Sequence, residues 1–363
     1  MSMVRQGAAA SIPSSQIREA LCFLGTILLI LVPTFACLAG VEAIAWRVGE
    51  TWSPAAIARW QSLAPGRMWR DLDGRSYLTY KVARIKLLRP QVIMLGQSRA
   101  NLVNAGMMKP YTFYNSGQTA WTFDQYRRYL ALITKDGYAP KALFFNLDYW
   151  MFVDGYDKNW NNAFSESAPT HLEDLKAIID ELATEPRVLL ARLSVADNLK
   201  GLFAVRNGDG FKADGSMVAL PVPSGPHHVD NDGIHVGNLP AVFGDHFDTD
   251  DVISFERFTA FARSMNIALI GIQFPFYAKV LNGLNGRAGA AEWRDFRSDA
   301  RRRYFASNGV LFFDFADMPE YRNVPGDFYD SVHPALNVVQ DVMRRVLSDD
   351  RVRAILPDLQ PNM

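Results

Sequence analysis

The sequence predicts an α/β protein: a five-stranded parallel sheet between two layers of helices, preceded by one membrane-spanning helix. Three observations carry this reading. Five short apolar runs alternate with helical stretches between residues 91 and 347, the pattern of a parallel sheet buried on both faces. The stretch Ala20 to Val41 (ALCFLGTILLILVPTFACLAGV) has no charged residue. About 20 residues at ~1.5 Å rise cross a hydrocarbon core of ~30 Å. Finally, the 363-residue chain is 49% hydrophobic and 21% charged, a globular composition that excludes a mainly disordered or fibrous protein.

In chain order, residues 1–19 read as a cytoplasmic tail and 20–41 as a transmembrane anchor. Pro33 is tolerated in such a span. A signal peptide's apolar region is usually about 7–15 residues, so an uncleaved anchor is expected. Arg5 and Arg18 precede the span against Glu19, whereas Glu42, Arg47 and Glu50 follow it. The positive-inside rule then puts the N-terminus in the cytoplasm. The chain is expected to be a single-pass protein of the cytoplasmic (inner) membrane, its C-terminal domain facing the periplasm or extracytoplasmic space.

Residues 42–89 read as a juxtamembrane connector with Trp46, Trp52, Trp60 and Trp69 and many basic residues. Those residues could meet lipid head groups or an anionic polymer. A solvated amphipathic helix over Tyr77–Leu88 is the preferred reading. The domain itself spans 90–350. Its strands are expected at 91–95, 112–115, 142–148, 267–273 and 310–314, with helices at 123–136, 252–265, 290–306 and 335–347. Thr122 and Gln125 are spaced as a capping box. An insertion at about 150–250 carries helices at 170–182 and 186–203, then a stretch rich in Gly, Pro, Asp and Asn. Residues 351–363 read as a C-terminal tail.

Composition also limits function. Lys plus Arg is 38 and Asp plus Glu is 38, so no global basic field favours nucleic acid. The only cysteines, Cys22 and Cys37, lie in the apolar stretch, leaving no disulfide or cysteine metal site elsewhere. His227, His228 and His235 with Asp230 and Asp232 read as a polar loop. No metal and no cofactor is expected.

Sites in open parallel sheets form at the carboxyl ends of strands, near the switch point of the strand order. Polar clusters follow the expected strands: Gly96-Gln97-Ser98-Arg99, Asn115-Ser116-Gly117, Asn146-Leu147-Asp148, and Asp330-Ser331-Val332-His333-Pro334. A serine needs a base to take its proton and a third group to orient that base. Ser98, His333 and Asp330 fit those roles, with Asp330 reaching the imidazole from the same loop. Gly117 would offer a close backbone N–H, and Asn115 would brace the loop. Arg99, Asn115, Trp121, Tyr149 and Trp150 are the candidate substrate-binding residues. With Phe152, Tyr156 and Trp160, and Asn159, Asn161 and Asn162 nearby, the aromatic group could stack on sugar rings or form a packed lid.

These blocks, in this order from Val92 to Leu347 apart from the insertion, resemble the SGNH/GDSL hydrolase superfamily. The resemblance implies a flavodoxin-like SGNH hydrolase fold, with Ser98 as nucleophile, His333 as base and Asp330 as its orienting partner. The backbone of Ser98 and Gly117 would form part of the oxyanion hole. The superfamily's third block usually adds an asparagine, but here Asp148 holds that place and Asn146 lies two residues back on the same strand face. An ionised carboxylate repels an oxyanion. Asp148 is therefore protonated or turned away, or Asn146 or Arg99 replaces it.

The anchor, outward domain and block order also resemble membrane-anchored SGNH-like proteins of polysaccharide O-acylation, such as accessory proteins of alginate O-acetylation and teichoic-acid D-alanylation. That resemblance implies a membrane-anchored serine esterase or O-acyltransferase, with an acylated glycan or acyl donor and a multi-span membrane acyltransferase as partners. The alternatives are a non-catalytic scaffold or polysaccharide-binding component, and a lipase or thioesterase on lipid-linked substrates.

Overall fold

The structure, a computed structural model, describes residues 14–360 except 65, 73, 155, 157–159, 161–163, 219–246 and 287–290. Five strands form its central sheet: β1 (Val92–Gly96), β2 (Phe113–Gly117), β3 (Ala142–Asn146), β4 (Ala268–Gln273) and β5 (Val310–Asp314). They run parallel in the order β2-β1-β3-β4-β5. Side chains alternate between two cores, as strand geometry requires. Ile93, Leu95, Leu143, Phe145 and Leu269 enter one, with helices Phe123–Thr134 and Thr249–Ser264. Val92, Met94, Phe144, Ile270 and Ile272 enter the other, with helix Leu336–Leu347. Helices thus cover both faces.

Several boundaries differ from the sequence expectation. β3 stops at Asn146, and the chain passes into a tight turn at Tyr149–Phe152. The helix expected at 290–306 is two helices, Ala291–Phe296 and Asp299–Ser307, because Ser298 caps the second by accepting from the Arg301 N–H at 3.1 Å. The helix expected at 186–203 ends at Arg192. Beyond it Leu199–Lys200 extends and pairs in parallel with Met68–Trp69. The expected C-terminal tail contains helix Asp350–Ile355, and Val352, Leu356 and Leu359 pack into the second core.

The N-terminal helix, Ser14–Val48, has 35 residues and is long and apolar enough to cross a membrane. Its length of about 50 Å at ~1.5 Å per residue exceeds a hydrocarbon core. The excess is used: Ala45 and Val48 are buried against Ala177, Ile178, Leu189 and Leu202 of the insertion.

The connector is not a solvated helix. Tyr77–Leu88 buries Tyr80, Lys81, Arg84 and Ile85. The Lys81 ammonium donates to the carbonyls of Gly117 at 2.7 Å and of Asn115 and Gly215 at 3.2 Å. Burial pushes its pKa well below the usual lysine range. Arg84 donates to the carbonyls of Ala58 and Ala213. The β2 edge is also covered, since the Asn115 N–H donates to the Asp214 carbonyl at 2.7 Å.

Candidate active site

The chain order reverses direction across the sheet at β1, which lies between β2 and β3. Ser98 follows β1 and opens a short 3₁₀ turn, Ser98–Ala100. A close approach requires glycine before it: a Cβ on Gly96 would lie 2.2 Å from the Asn146 Oδ1.

The structure brings the three expected catalytic residues together. Ser98 Oγ lies 2.6 Å from His333 Nε2, and His333 Nδ1 lies 2.6 Å from Asp330 Oδ2. The other Asp330 oxygen accepts from the backbone N–H groups of Val332 and His333, each at 2.8 Å. Sequence spacing makes this compact: the loop folds so that Asp330 fixes both backbone and ring of a residue three positions later. Burial alone would raise the Asp330 pKa, but the His333 ring and the two backbone N–H groups outweigh it, holding the carboxyl below its usual range. An ionised Asp330 places the neutral histidine's proton on Nδ1 and leaves the Nε2 lone pair facing Ser98.

Asp148 is turned away from this constellation. It is fully buried, and its Oδ1 accepts from Arg99 Nη1 at 2.6 Å and from Gln273 Nε2 at 2.9 Å. Burial pushes its pKa up to about 6, opposed by Arg99 and Gln273. Arg99 also donates to the Val332 carbonyl at 3.0 Å, to the Pro275 carbonyl at 2.6 Å and to the Phe274 carbonyl. Its guanidinium stacks 4.4 Å from the Phe276 ring centroid. With its side chain 2% exposed, Arg99 acts as a buried clamp between the serine turn, the histidine loop and the ends of β3 and β4. Arg99 also lines both cavities beside Ser98, where a substrate-binding residue was expected, while its guanidinium is committed to the clamp.

Other expected donors are also committed. Gly117 N–H donates to Asn115 Oδ1 at 2.7 Å and is not directed at an oxyanion. Asn115 is fully buried, and its Nδ2 donates to the carbonyls of Ala100 and Val103, both at 2.7 Å. It braces the serine turn and does not reach substrate. Asn146 is fully buried and lines neither cavity at Ser98; its Nδ2 lies 3.4 Å from Asp148 Oδ2. Tyr149 is likewise buried and lines neither, packing against Trp150 and Trp293. These four positions fail as surface contacts because the sheet ends sink beneath the loops that carry Ser98 and His333.

Two cavities meet at Ser98 and His333. One, about 220 Å³, is walled by Gln97, Trp121, Trp150, Tyr156 and Trp160. Trp121 and Trp160 lie nearly parallel, with ring centroids 5.4 Å apart. Gln97 ties this wall together, accepting from Trp150 Nε1 and donating to the Trp121 carbonyl, each at 3.2 Å. The other, about 330 Å³, is walled by Asn101, Leu102, Gln118, Met217, Val218 and Tyr329. Sequence reasoning missed this second set. The three-residue spacing of Asn101 from Ser98 was the one available signal, since i and i+3 eclipse in a 3₁₀ turn.

Among the described residues no group of histidine, cysteine or carboxylate side chains could hold a metal ion. The polar loop with His227, His228 and His235, and Asn159, Asn161 and Asn162, lie outside the described residues. No model of a known protein family matches the chain, and no curated protein sequence matches it.

Proposed function

We propose that this chain is a membrane-anchored serine esterase or O-acyltransferase of the SGNH type, acting through an acyl-serine outside the cytoplasmic membrane. The observation that carries the reading is the Ser98–His333–Asp330 relay, with both links at 2.6 Å. Ser98 Oγ attacks an ester carbonyl carbon while its proton passes to His333 Nε2. The carbonyl π electrons move onto oxygen. Collapse of that intermediate expels the leaving alkoxide, which takes the proton from His333. Water or an acceptor hydroxyl then repeats the sequence in reverse.

Support for the finer parts comes from several directions. The strand order matches the flavodoxin-like pattern, and the motif order resembles the superfamily. The helix Ser14–Val48 suits an anchor. Aromatic faces beside the serine favour an acylated glycan as donor or acceptor, and a multi-span membrane acyltransferase would be the matching partner. Asp148 no longer favours a non-catalytic scaffold, because its carboxylate is held by Arg99. A lipid-linked acyl donor is the second reading, favoured by the apolar Leu102, Met217 and Val218 wall of the larger cavity.

The test uses the full-length protein in detergent and a series of p-nitrophenyl esters. Ser98→Ala and His333→Ala should each abolish turnover, and the double variant should be little worse, because triad members act as one unit. Asp330→Asn should keep a residue of activity. Absence of Ser98-dependent turnover and of Ser98 labelling by a fluorophosphonate would overturn the enzyme reading. A steady rise in kcat/KM with acyl length would select the lipid-linked donor.

A further inference from the structure

We infer that the side-chain amides of Asn101 and Gln118 form the oxyanion-binding site beside Ser98, and that the Met217 thioether occupies it before substrate arrives. This rests on the acyl-serine reading and adds side-chain donors to it. Of the positions suggested by the family resemblance, Gly117 N–H is engaged on Asn115 and Asp148 on Arg99.

Asn101 lies one 3₁₀ turn after Ser98, its N–H donating to the Ser98 carbonyl at 3.1 Å, so both side chains leave the turn on one face. It is 6% exposed and lines the cavity that holds Ser98 and His333. Its Oδ1 has no hydrogen-bond donor among the described residues. Its Nδ2 donates to Met217 Sδ at 3.0 Å, and Gln118 Nε2 points at the same sulfur from 3.8 Å. A thioether is a weak acceptor. Two amide donors converging on it form a poorly satisfied pair, which a developing oxyanion would satisfy far better.

Backbone geometry adds to this. Gln118 holds φ +62, a left-handed conformation costly for a non-glycine residue and concentrated at functional sites. Its N–H donates to the Gly96 carbonyl at 2.8 Å, fixing it beside the serine turn. Gly117 leaves the space Asn101 fills, since a Cβ there would lie 2.4 Å from Asn101 Oδ1. Methionine is unbranched and adaptable, so it can leave as the substrate carbonyl enters. As Ser98 Oγ bonds to the carbonyl carbon and His333 takes the proton, the two amides receive the electron pair moved onto oxygen.

The experiment measures p-nitrophenyl acetate turnover and fluorophosphonate labelling on the full-length protein in detergent. Asn101→Ala and the near-isosteric Asn101→Asp should each lower kcat by about 10²–10³ with little change in KM. Gln118→Ala should lower kcat less, its amide being the more distant. Met217→Ala should raise kcat/KM, because the sulfur competes with the incoming carbonyl oxygen for both amides, and a fall would count against that occupancy. If Asn101→Ala shifts thermal unfolding, Asn101→Asp and Gln118→Ala decide the matter. Wild-type kcat in the Asn101 variants, or a loss confined to KM, would overturn the inference while leaving Ser98 labelling intact. Absence of Ser98-dependent labelling in the wild type would instead remove the reading beneath it.

Discussion

Arg99→Met is the perturbation that most directly separates a buried clamp from a substrate ligand. The guanidinium donates to Asp148, to the carbonyls of Val332 and Pro275 at 3.0 and 2.6 Å, and to that of Phe274. Both members of the ion pair are almost fully buried, at 2% and 0% side-chain exposure, so solvent screening does not dilute the loss. Removing one partner of such a pair typically costs about 3–5 kcal/mol, chiefly through the charge left behind. The pH dependence has a definite sign. Burial already raises Asp148 to about 6 and Arg99 opposes that rise. Without Arg99 the folded-state pKa moves further above the unfolded value of ~3.9. A group raised in this way binds protons more tightly in the native state, so stability falls as pH rises through that window. Urea unfolding at pH 5 and pH 8 should therefore show a gap between wild type and variant that widens with pH. The double variant Arg99→Met/Asp148→Leu should regain much of the loss, since replacing both charges by apolar groups is often near neutral. Catalytically, kcat should fall, because the Val332 carbonyl is freed next to His333. A gap below about 1 kcal/mol that ignores pH, with KM alone raised, would refute the clamp and restore Arg99 as a substrate contact.

Other expectations follow from the same physics. Asp330 is held below the usual carboxylate range, so its stabilising contribution is present above about pH 3.9 and lost as pH falls through its lower folded value; acid unfolding of Asp330→Asn should lack that component. Lys81→Met leaves the carbonyls of Asn115, Gly117 and Gly215 unpaired, at about 1–3 kcal/mol for each buried group that water cannot reach. Because burial lowers Lys81, the wild type should also gain stability relative to this variant as pH rises towards ~10.4. Glu50 is pushed up to about 8 by burial and by Asp71. Glu50→Gln should therefore gain on the wild type between about pH 4.3 and about 8, read as a crossing of melting curves. The protein should stay with membranes after a carbonate wash, with residues after 50 open to protease from outside; release into the supernatant would remove the anchor.

The sheet was legible because buried parallel strands leave unbroken apolar runs such as VIML and ALFF, and because turn residues bound them. The Ser98, Asp330 and His333 set was legible for a related reason. Asp330 and His333 share one short loop, and Ser98 sits at the end of the first strand, where the topology puts reactive groups. What was not legible depended on burial at a distance. Arg99 follows an exposed-looking turn, yet its partner is 49 positions away and its backbone acceptors lie about 175 to 233 away. Lys81 and Arg84 look like a solvated face because charge in a helix is usually exposed. The loops that carry Ala213 and Gly215, together with Ala58 and strand β2, make them internal. Met217 has no sequence signal at all: it lies 119 residues beyond Ser98 in a Gly- and Pro-rich segment and reaches the site through the fold.

That segment also ties the N-terminal helix to the cavity at Ser98. The insertion packs on the last turns of the N-terminal helix through Ala177, Ile178 and Leu189. It then extends at Leu199–Lys200 along Met68–Trp69, covers the β2 edge through Asp214, and contributes Met217 and Val218 to the wall of the larger cavity at Ser98. A flexible connector would let the domain sample many heights and orientations above a bilayer. Here the chain between helix and sheet is itself packed, with Ala45 and Val48 buried and Gly201 N–H donating to the Val48 carbonyl at 2.7 Å. If the helix spans a bilayer, a domain held this way would be restricted in the height and orientation at which it presents Ser98. Such an arrangement gains most when donor or acceptor is delivered at a fixed distance from the bilayer, because a rigid link raises effective concentration only where its span matches the target. Inserting a flexible Gly/Ser segment between Val48 and Glu50 should therefore spare turnover of a soluble p-nitrophenyl ester in detergent and reduce turnover of a membrane-delivered acyl donor. Equal effects on both would argue that the packed connector serves stability alone.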